Sequence, residues 1–329
     1  MNDTYDAAAA WQPAGVTTAL GLDPALRLVA ARNLVVDQVT ADVARAFAAE
    51  GIETLVLKGP VLAAWLYAGE VRAYGDSDLL IEPDDWPRAV AVLERLGFSK
   101  YLDPRTHPPI ESSVATEFLR GNDNVDLHRT LQGLEGDPRL VAASLMAIAG
   151  RQGIGRVELK VLDRADVLLN VGLHAAHHGK GKPIEDLRRA IVLADEPLWW
   201  HALERARKFD GVRAFASGIK LLPEGVDIAR RLGIENVSST RHELRRRGIQ
   251  TAEGIDTLLT PGLGVRRRFG IVTQEFFPPP AFMRHWTPLA RHGRLGLVAA
   301  YLWRAIWLVL HLPVAMVARW QVNRADLDR

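Results

Sequence analysis

Between residues 23 and 50 apolar side chains recur at helical spacing: Leu26, Leu28, Val29, Leu34, Val35, Val39, Val43 and Phe47. The spacing predicts an amphipathic helix, ended at Gly51 by a residue that readily takes a left-handed turn. Residues 54–57 are a short apolar run of strand length. Lys58-Gly59-Pro60 follows as a turn, and Pro60 suits the first position of a helix reaching about Ala68. A second strand is expected over 76–81, then a helix opened by Asp84-Asp85 and closed by Gly97. Strands over 114–119 and 124–128 flank a hairpin-like loop at Gly121-Asn122-Asp123-Asn124. Residues 152–160 are polar, contain glycine and read as a boundary. Beyond them the pattern is helical, over 163–179, 185–195, 197–209, 211–222 and 240–250.

Strands and helices mixed in the first half predict an α/β (α+β) fold: a small mixed β-sheet with helices on one face, followed by an all-helical domain. The expected divisions are an N-terminal helical segment (1–50), the sheet-bearing core (51–150), a helical domain (151–264) and a basic, Trp-rich helical tail (265–329).

Composition narrows the class. The chain has 329 residues, 48% hydrophobic and 24% charged, which excludes collagen-like and wholly disordered proteins. Cysteine is absent, so disulfides, thiol nucleophiles and thiolate metal sites are excluded. Met1 to Pro13 is acidic and polar, with no basic segment leading into an apolar run, so no secretory signal is read and a cytoplasmic location is expected.

Net charge is only +2, but it is unevenly spread. From Val265 onward ten arginines face three acids, so this segment carries +7 and the preceding 264 residues −5. A basic tail on an acidic body points to an anionic partner such as a lipid surface or nucleic acid; a solvated helix face is the plainer alternative. The triplets Arg245-Arg246-Arg247 and Arg266-Arg267-Arg268 come with no reader motif, so sequence-specific nucleic-acid binding is not expected. Four of the nine tryptophans, Trp286, Trp303, Trp307 and Trp320, lie in the tail. Its apolar stretch, Leu295 to Ala318, is interrupted by Arg304, His311 and Pro313. Three readings stay open: packing against this chain or a copy of it, peripheral contact of residues 285–320 with the inner face of a membrane, and a spanning helix, for which residues 305–318 alone are short.

The strongest chemical signal is Gly75-Asp76-Ser77-Asp78-Leu79-Leu80-Ile81. Aspartate is disfavoured in strands, yet two open this apolar run. On a strand, residues two apart share a face, so Asp76 and Asp78 would project side by side and repel unless a cation sits between them. Val125-Asp126-Leu127-His128 has the alternation of a half-buried strand. Were it to lie beside the first, Asp126 would complete a set of three acids able to hold two Mg²⁺ ions for in-line phosphoryl or nucleotidyl transfer. Lys58-Gly59-Pro60, a strand–turn–helix junction, is a candidate phosphate cradle, and Lys58 and Arg72 add positive charge. His174 and His178 share a helix face; helix packing, a place lining the site and metal binding are all open to them, and His128 is a candidate supporting residue behind the acids.

Residues 54–128 resemble the polymerase-β-like nucleotidyltransferase superfamily, and within it a bacterial branch of uncharacterised nucleotidyltransferases. The motifs that carry the resemblance are Leu57-Lys58-Gly59, Arg72, Asp76-Ser77-Asp78-Leu79-Leu80-Ile81, Asp84-Asp85, Leu96-Gly97-Phe98 and Val125-Asp126-Leu127-His128. A softer match continues through Asp166-Val167-Leu168-Leu169, His174 to His178 and Glu185-Asp186-Leu187. The resemblance implies that Asp76, Asp78 and Asp126 are the catalytic metal ligands. It implies that Gly59 is the phosphate-turn glycine; Lys58, Arg72 and Gly75 are candidate nucleotide-binding residues, and His128, His174 and His178 candidate supporting residues. It further implies transfer of a nucleoside monophosphate from a nucleoside triphosphate, ATP by default, to a hydroxyl-bearing protein, peptide or small molecule with Mg²⁺ as cofactor. One departure stands out: the superfamily favours Gly-Gly or Gly-Ser in the turn, and Pro60 offers neither an N–H nor a hydroxyl. A degenerate nucleotide- or partner-binding module without turnover is therefore the alternative.

Overall fold

The computed structural model describes residues 23–101, 114–237, 239–240, 243–244, 254–255, 258–259 and 264–327. Chain contacts divide them into two compact units.

The first unit is built on the sheet. Helix α1 (Pro24–Ala49) is capped by the Asp23 carboxylate, which accepts from the Ala25 N–H, and stops before Gly51, whose φ is +70°. Strand β1 (Thr54–Val56) runs into helix α2 (Pro60–Leu66), and β2 (Ser77–Ile81) is buried along its whole length. Helix α3 (Trp86–Arg95) follows a short 3₁₀ turn and ends at Gly97, φ +85°. Strands β3 (Ser99–Lys100), β4 (Ala115–Arg120) and β5 (Asp123–His128) come next. A two-residue turn, Gly121-Asn122, joins β4 to β5, and Arg120 and Asp123 pair across it at 3.0 Å. Helix α4 (Pro138–Ala147) leads to a hairpin, β6 (Gly150–Ile154) and β7 (Val157–Val161).

These strands form one mixed seven-stranded sheet in the order β3-β4-β5-β2-β1-β7-β6. Strand β2 lies between β5, to which it is parallel, and β1, to which it is antiparallel. Strand β7 is parallel to β1, and β6 closes the edge. Helix α1 packs on β1, β2, β5, β6 and β7.

The second unit takes up most of the remaining helices: α5 (Arg164–His178), which begins in the first unit and continues here from Leu168, α6 (Lys182–Leu193), α7 (Glu196–Lys208), α8 (Val212–Ile219) and α9 (Pro223–Arg231). Helices α7, α8 and α9 pack in succession. Close approach fixes small residues here: a Cβ on Gly218 would lie 1.8 Å from the Gly172 carbonyl oxygen. Helices α10 (Val265–Phe276), α11 (Pro280–Trp286) and α12 (Gly293–Leu327) complete the unit.

The mixed sheet followed by a helical region matches the expected fold class, with four local departures. Residues 152–160, read as a boundary from their polarity, belong to the β6–β7 hairpin; an edge strand faces solvent and carries charge, here Arg151, which pairs diagonally with Glu158 at 3.5 Å. Helices α4 and α9 were not anticipated. Only the second half of α1 buries the face that its periodicity marks, since Leu28, Leu34 and Val35 are exposed. Pro313 does not interrupt α12, which passes through it. Most of the helix expected over 240–250 lies outside the described residues.

Candidate active site

The chemistry-bearing residues of the first unit meet where β1, β2 and β5 lie side by side. The register pairs Asp78 directly with Asp126 and Leu80 with His128. Parallel strands in register carry facing residues to the same side, so two acids remote along the chain become neighbours. The apolar residues between them, Leu79, Val125 and Leu127, are fully buried on the other face.

Asp78 is buried and sits at the centre of a charged cluster. Lys58 Nζ lies 2.5 Å from Asp78 Oδ1. His128 Nε2 is 3.0 Å from Asp126 Oδ2 and 3.3 Å from Asp78 Oδ1. Burial alone would raise the Asp78 pKa, but the Lys58 charge and the His128 contact outweigh it and hold the carboxyl below its usual range. His128 shows the opposite balance: burial would lower its pKa, yet Asp126 and Asp78 push it up to about 9. Lys58 is also raised despite burial, by the charges of Asp78, Asp126 and Asp76 together.

Asp78, Asp126 and His128 each offer a ligand atom, and these atoms lie within 4.8 Å of one another. The donor set fits a divalent cation. The carboxylate oxygens suit a hard ion, whereas the imidazole also admits softer ones. His128 Nδ1 is buried with no hydrogen-bond partner, an unusual expense for a ring held only by its other nitrogen. Asp76 stands half-buried in the bend just before β2, close enough to raise Lys58 but outside the three-residue group.

Gly59 occupies the turn between β1 and α2 with φ +58° and ψ −112°, a conformation that glycine adopts at little cost. A Cβ there would come within 3.3 Å of the Tyr74 ring. Helix α2 has seven residues, and Pro60 brings no N–H to its first turn. Arg72 is buried, with its guanidinium 5.9 Å from the Tyr67 ring centre. Gly75 is half-buried, and a Cβ on it would meet the Arg32 guanidinium at 3.7 Å.

Sequence reasoning missed the residues that brace this loop. Asn33 Nδ2 donates to the Arg72 carbonyl at 2.7 Å, and the Tyr74 N–H donates to Asn33 Oδ1 at 3.2 Å. The Tyr74 hydroxyl donates to Asp37 Oδ1 at 2.8 Å. The hydroxyls of Thr40 and Ser77 are 2.7 Å apart. Asn33, Asp37 and Thr40 are spaced i, i+4 and i+7 on α1, so this polar stripe in an otherwise apolar helix was the available signal.

His174 and His178 lie on α5 in the second unit. Their rings are 4.4 Å apart, edge to face, and His177 meets His178 at 4.8 Å. Among the described residues they enter no group of three metal-ligating side chains.

Acidic side chains gathered on neighbouring buried strands beside a lysine-bearing turn are the layout of an enzyme core that handles phosphate groups. Residues 10–225 match the family described as uncharacterised nucleotidyltransferase, and the chain belongs to that family. No curated protein matches. Among solved structures, the antibiotic-resistance factor ANT(2'')-Ia in solution shares 11% identity, with a TM-score of 0.40 over 53% of this chain and 92% of that one. The same factor in complex with adenylyl-2''-tobramycin shares 13% identity, with a TM-score of 0.38 over 53% of this chain and 98% of that one. An antigenic nucleotidyltransferase-like protein from Paracoccidioides brasiliensis shares 16%, with a TM-score of 0.34 over 55% and 92% of the two chains.

Proposed function

We propose that this nucleotidyltransferase moves a nucleoside monophosphate from a nucleoside triphosphate, ATP in the first instance, to a hydroxyl-bearing acceptor with Mg²⁺ as its cation. The observation that carries the reading is the in-register pairing of Asp78 with Asp126, beside Lys58 and His128.

In this reading Asp78 and Asp126 hold the cation, with Asp76 completing the acidic set for a second ion. When bound, Mg²⁺ neutralises phosphate charge and favours ionisation of the acceptor hydroxyl. Once the carboxylates are so engaged, Lys58 turns its ammonium from Asp78 to the triphosphate oxygens. Gly59 leaves the turn free of a side chain where the phosphates approach. Arg72 and Gly75, in the loop leading into β2, are assigned to the nucleotide by position. Asp126 accepts the acceptor's proton, directly or through His128. The freed oxygen attacks the α-phosphorus in line, and pyrophosphate leaves. The reaction belongs in the cytoplasm, where nucleoside triphosphates are available.

Pro60 favours a second reading, a module that binds nucleotide or a partner without turnover, because it removes one backbone donor from the turn. Incubation with Mg²⁺, α-labelled nucleoside triphosphates and a cell extract separates the two. Transfer of label to an acceptor, with release of pyrophosphate and loss of both in Asp78→Asn and Asp126→Asn, is the result expected of an enzyme. Nucleotide binding without pyrophosphate release in any extract would establish the second reading.

A further inference from the structure

Helix α12 is built inside out. Its buried positions are mostly small residues and its one mid-helix charge, with Leu297, Tyr301 and Val322 beside them, while most of its large apolar residues face outward. Ala300 packs with Phe282, Met283 and Ala290. Ala315, Ala318 and Val322 pack with Leu244 and Ile255. The opposite side presents Leu295, Leu302, Ile306, Val309, Leu310 and Val317, with Leu295 85% exposed and Leu302 64%. In water, folding drives the large residues in and leaves small ones where they fall. Small residues at helix contacts and large apolar residues outside are the arrangement of a helix whose surroundings are lipid.

Arg304 is the one charge inside this apolar run. Its side chain is fully buried: Nε donates to the Glu275 carbonyl at 2.6 Å, and Nη2 lies 3.4 Å from Glu275 Oε2. The guanidinium also lies 5.0 Å from the Phe282 ring centre and 5.1 Å from that of Trp286. The charge is paired on the inner side of the helix, and from Leu295 to Ala318 the outward face carries no Asp, Glu, Lys or Arg. His311, its one titratable group there, bonds through Nδ1 to the Trp307 carbonyl at 2.8 Å.

Length and flanking charge complete the fit. The apolar segment Gly293–Val322 has 30 residues, of which 17% of its most apolar window is buried. At 1.5 Å per residue it is about 45 Å long, against a hydrocarbon core of about 30 Å. Arg291 and Arg294 stand at one end and Arg319 and Arg324 at the other, with Arg324 5.2 Å from the Trp320 ring centre. Arginine at both ends of an apolar face, with tryptophan at one of them, matches anionic headgroups bordering hydrocarbon.

We propose that the outward face of α12 is embedded in a lipid bilayer carrying anionic headgroups. The inference stands apart from the proposed catalysis and uses none of its residues. Flotation of the full chain through a density gradient tests it, with vesicles of phosphatidylcholine alone or mixed with phosphatidylglycerol. The protein is expected to rise with both and more completely with the anionic mixture. The variant Leu302→Glu/Ile306→Glu/Val309→Glu, altered only at exposed positions, should stay at the bottom while keeping the wild-type circular dichroism spectrum. Three results would overturn the proposal: wild type remaining at the bottom with both vesicles, equal flotation of wild type and variant, or a vesicle-free dimer that the variant converts to monomer without any flotation of the wild type. The last would assign the face to a second copy of the chain.

Discussion

Lys58 in the sheet and Arg304 in the C-terminal helix are both cations withdrawn from water beside carboxylates, yet their settings differ. Around Lys58 the acids are in excess: Asp76, Asp78 and Asp126 all act on it, and His128 is drawn into the same field. Around Arg304 stand one carboxylate, one carbonyl and two aromatic faces. A surplus of acid is a standing invitation to another cation, whereas Glu275 and Arg304 match one charge with one. The first arrangement suits chemistry and the second suits concealment of a charge.

Substitutions should break this contrast in graded steps. The largest effect is expected from Asp78→Asn, which removes the central acid: nucleotidyl transfer should fall by a hundredfold or more, on the order of losing a principal electrostatic group. Leaving the Lys58 ammonium without its partner should also cost about 3–5 kcal/mol in a denaturant titration. Arg304→Met should leave transfer per folded molecule unchanged. It should destabilise the chain by roughly 1–3 kcal/mol, and adding Glu275→Gln should recover part of that loss in a double-mutant cycle. Unchanged stability in Arg304→Met would remove the Arg304–Glu275 pair from this picture.

A divalent cation sharpens the comparison from the other side. At a concentration about a hundred times its Kd, Mg²⁺ or Mn²⁺ should stabilise the native chain by about 2.7 kcal/mol. Thermal melts should show this gain in wild type and in Arg304→Met, but not in Asp126→Asn. The smallest effect belongs to the brace behind the loop. Burial pushes the Asp37 carboxyl up to about 6, with the Tyr74 hydroxyl partly opposing the shift. The native state therefore holds a proton that the unfolded chain, titrating near 4, has released. Stability should fall as pH rises from about 4 to about 6, and melts across that range should show a shallower slope for Asp37→Asn.

Much of the site was readable because a buried strand makes its polar exceptions conspicuous. Asp78 and Asp126 stand out from Leu79, Leu80, Val125 and Leu127, and the same contrast identifies both strands. The register that sets Asp78 against Asp126 was not readable, since it depends on the pairing of strands far apart in the chain. Nor was the depth of His128, whose ring lies between two carboxylates rather than behind them. The β6–β7 hairpin escaped because solvent on an edge strand relaxes the demand for apolar residues. Arg304 misled for the reverse reason: a charge in an apolar run says nothing about which way it turns, and α12 turns it inward.

The parallel pairing of β2 with β5 also bears on how the chain comes to fold. Asp78 and His128 are 50 residues apart, and the strands that carry them cannot be joined by a tight turn. Closing so long a loop is slow, so local helices and hairpins form well before these carboxylates meet. A partly synthesised chain that ends short of residue 128 has no such cluster. Assembly of this cluster is therefore a late event in folding.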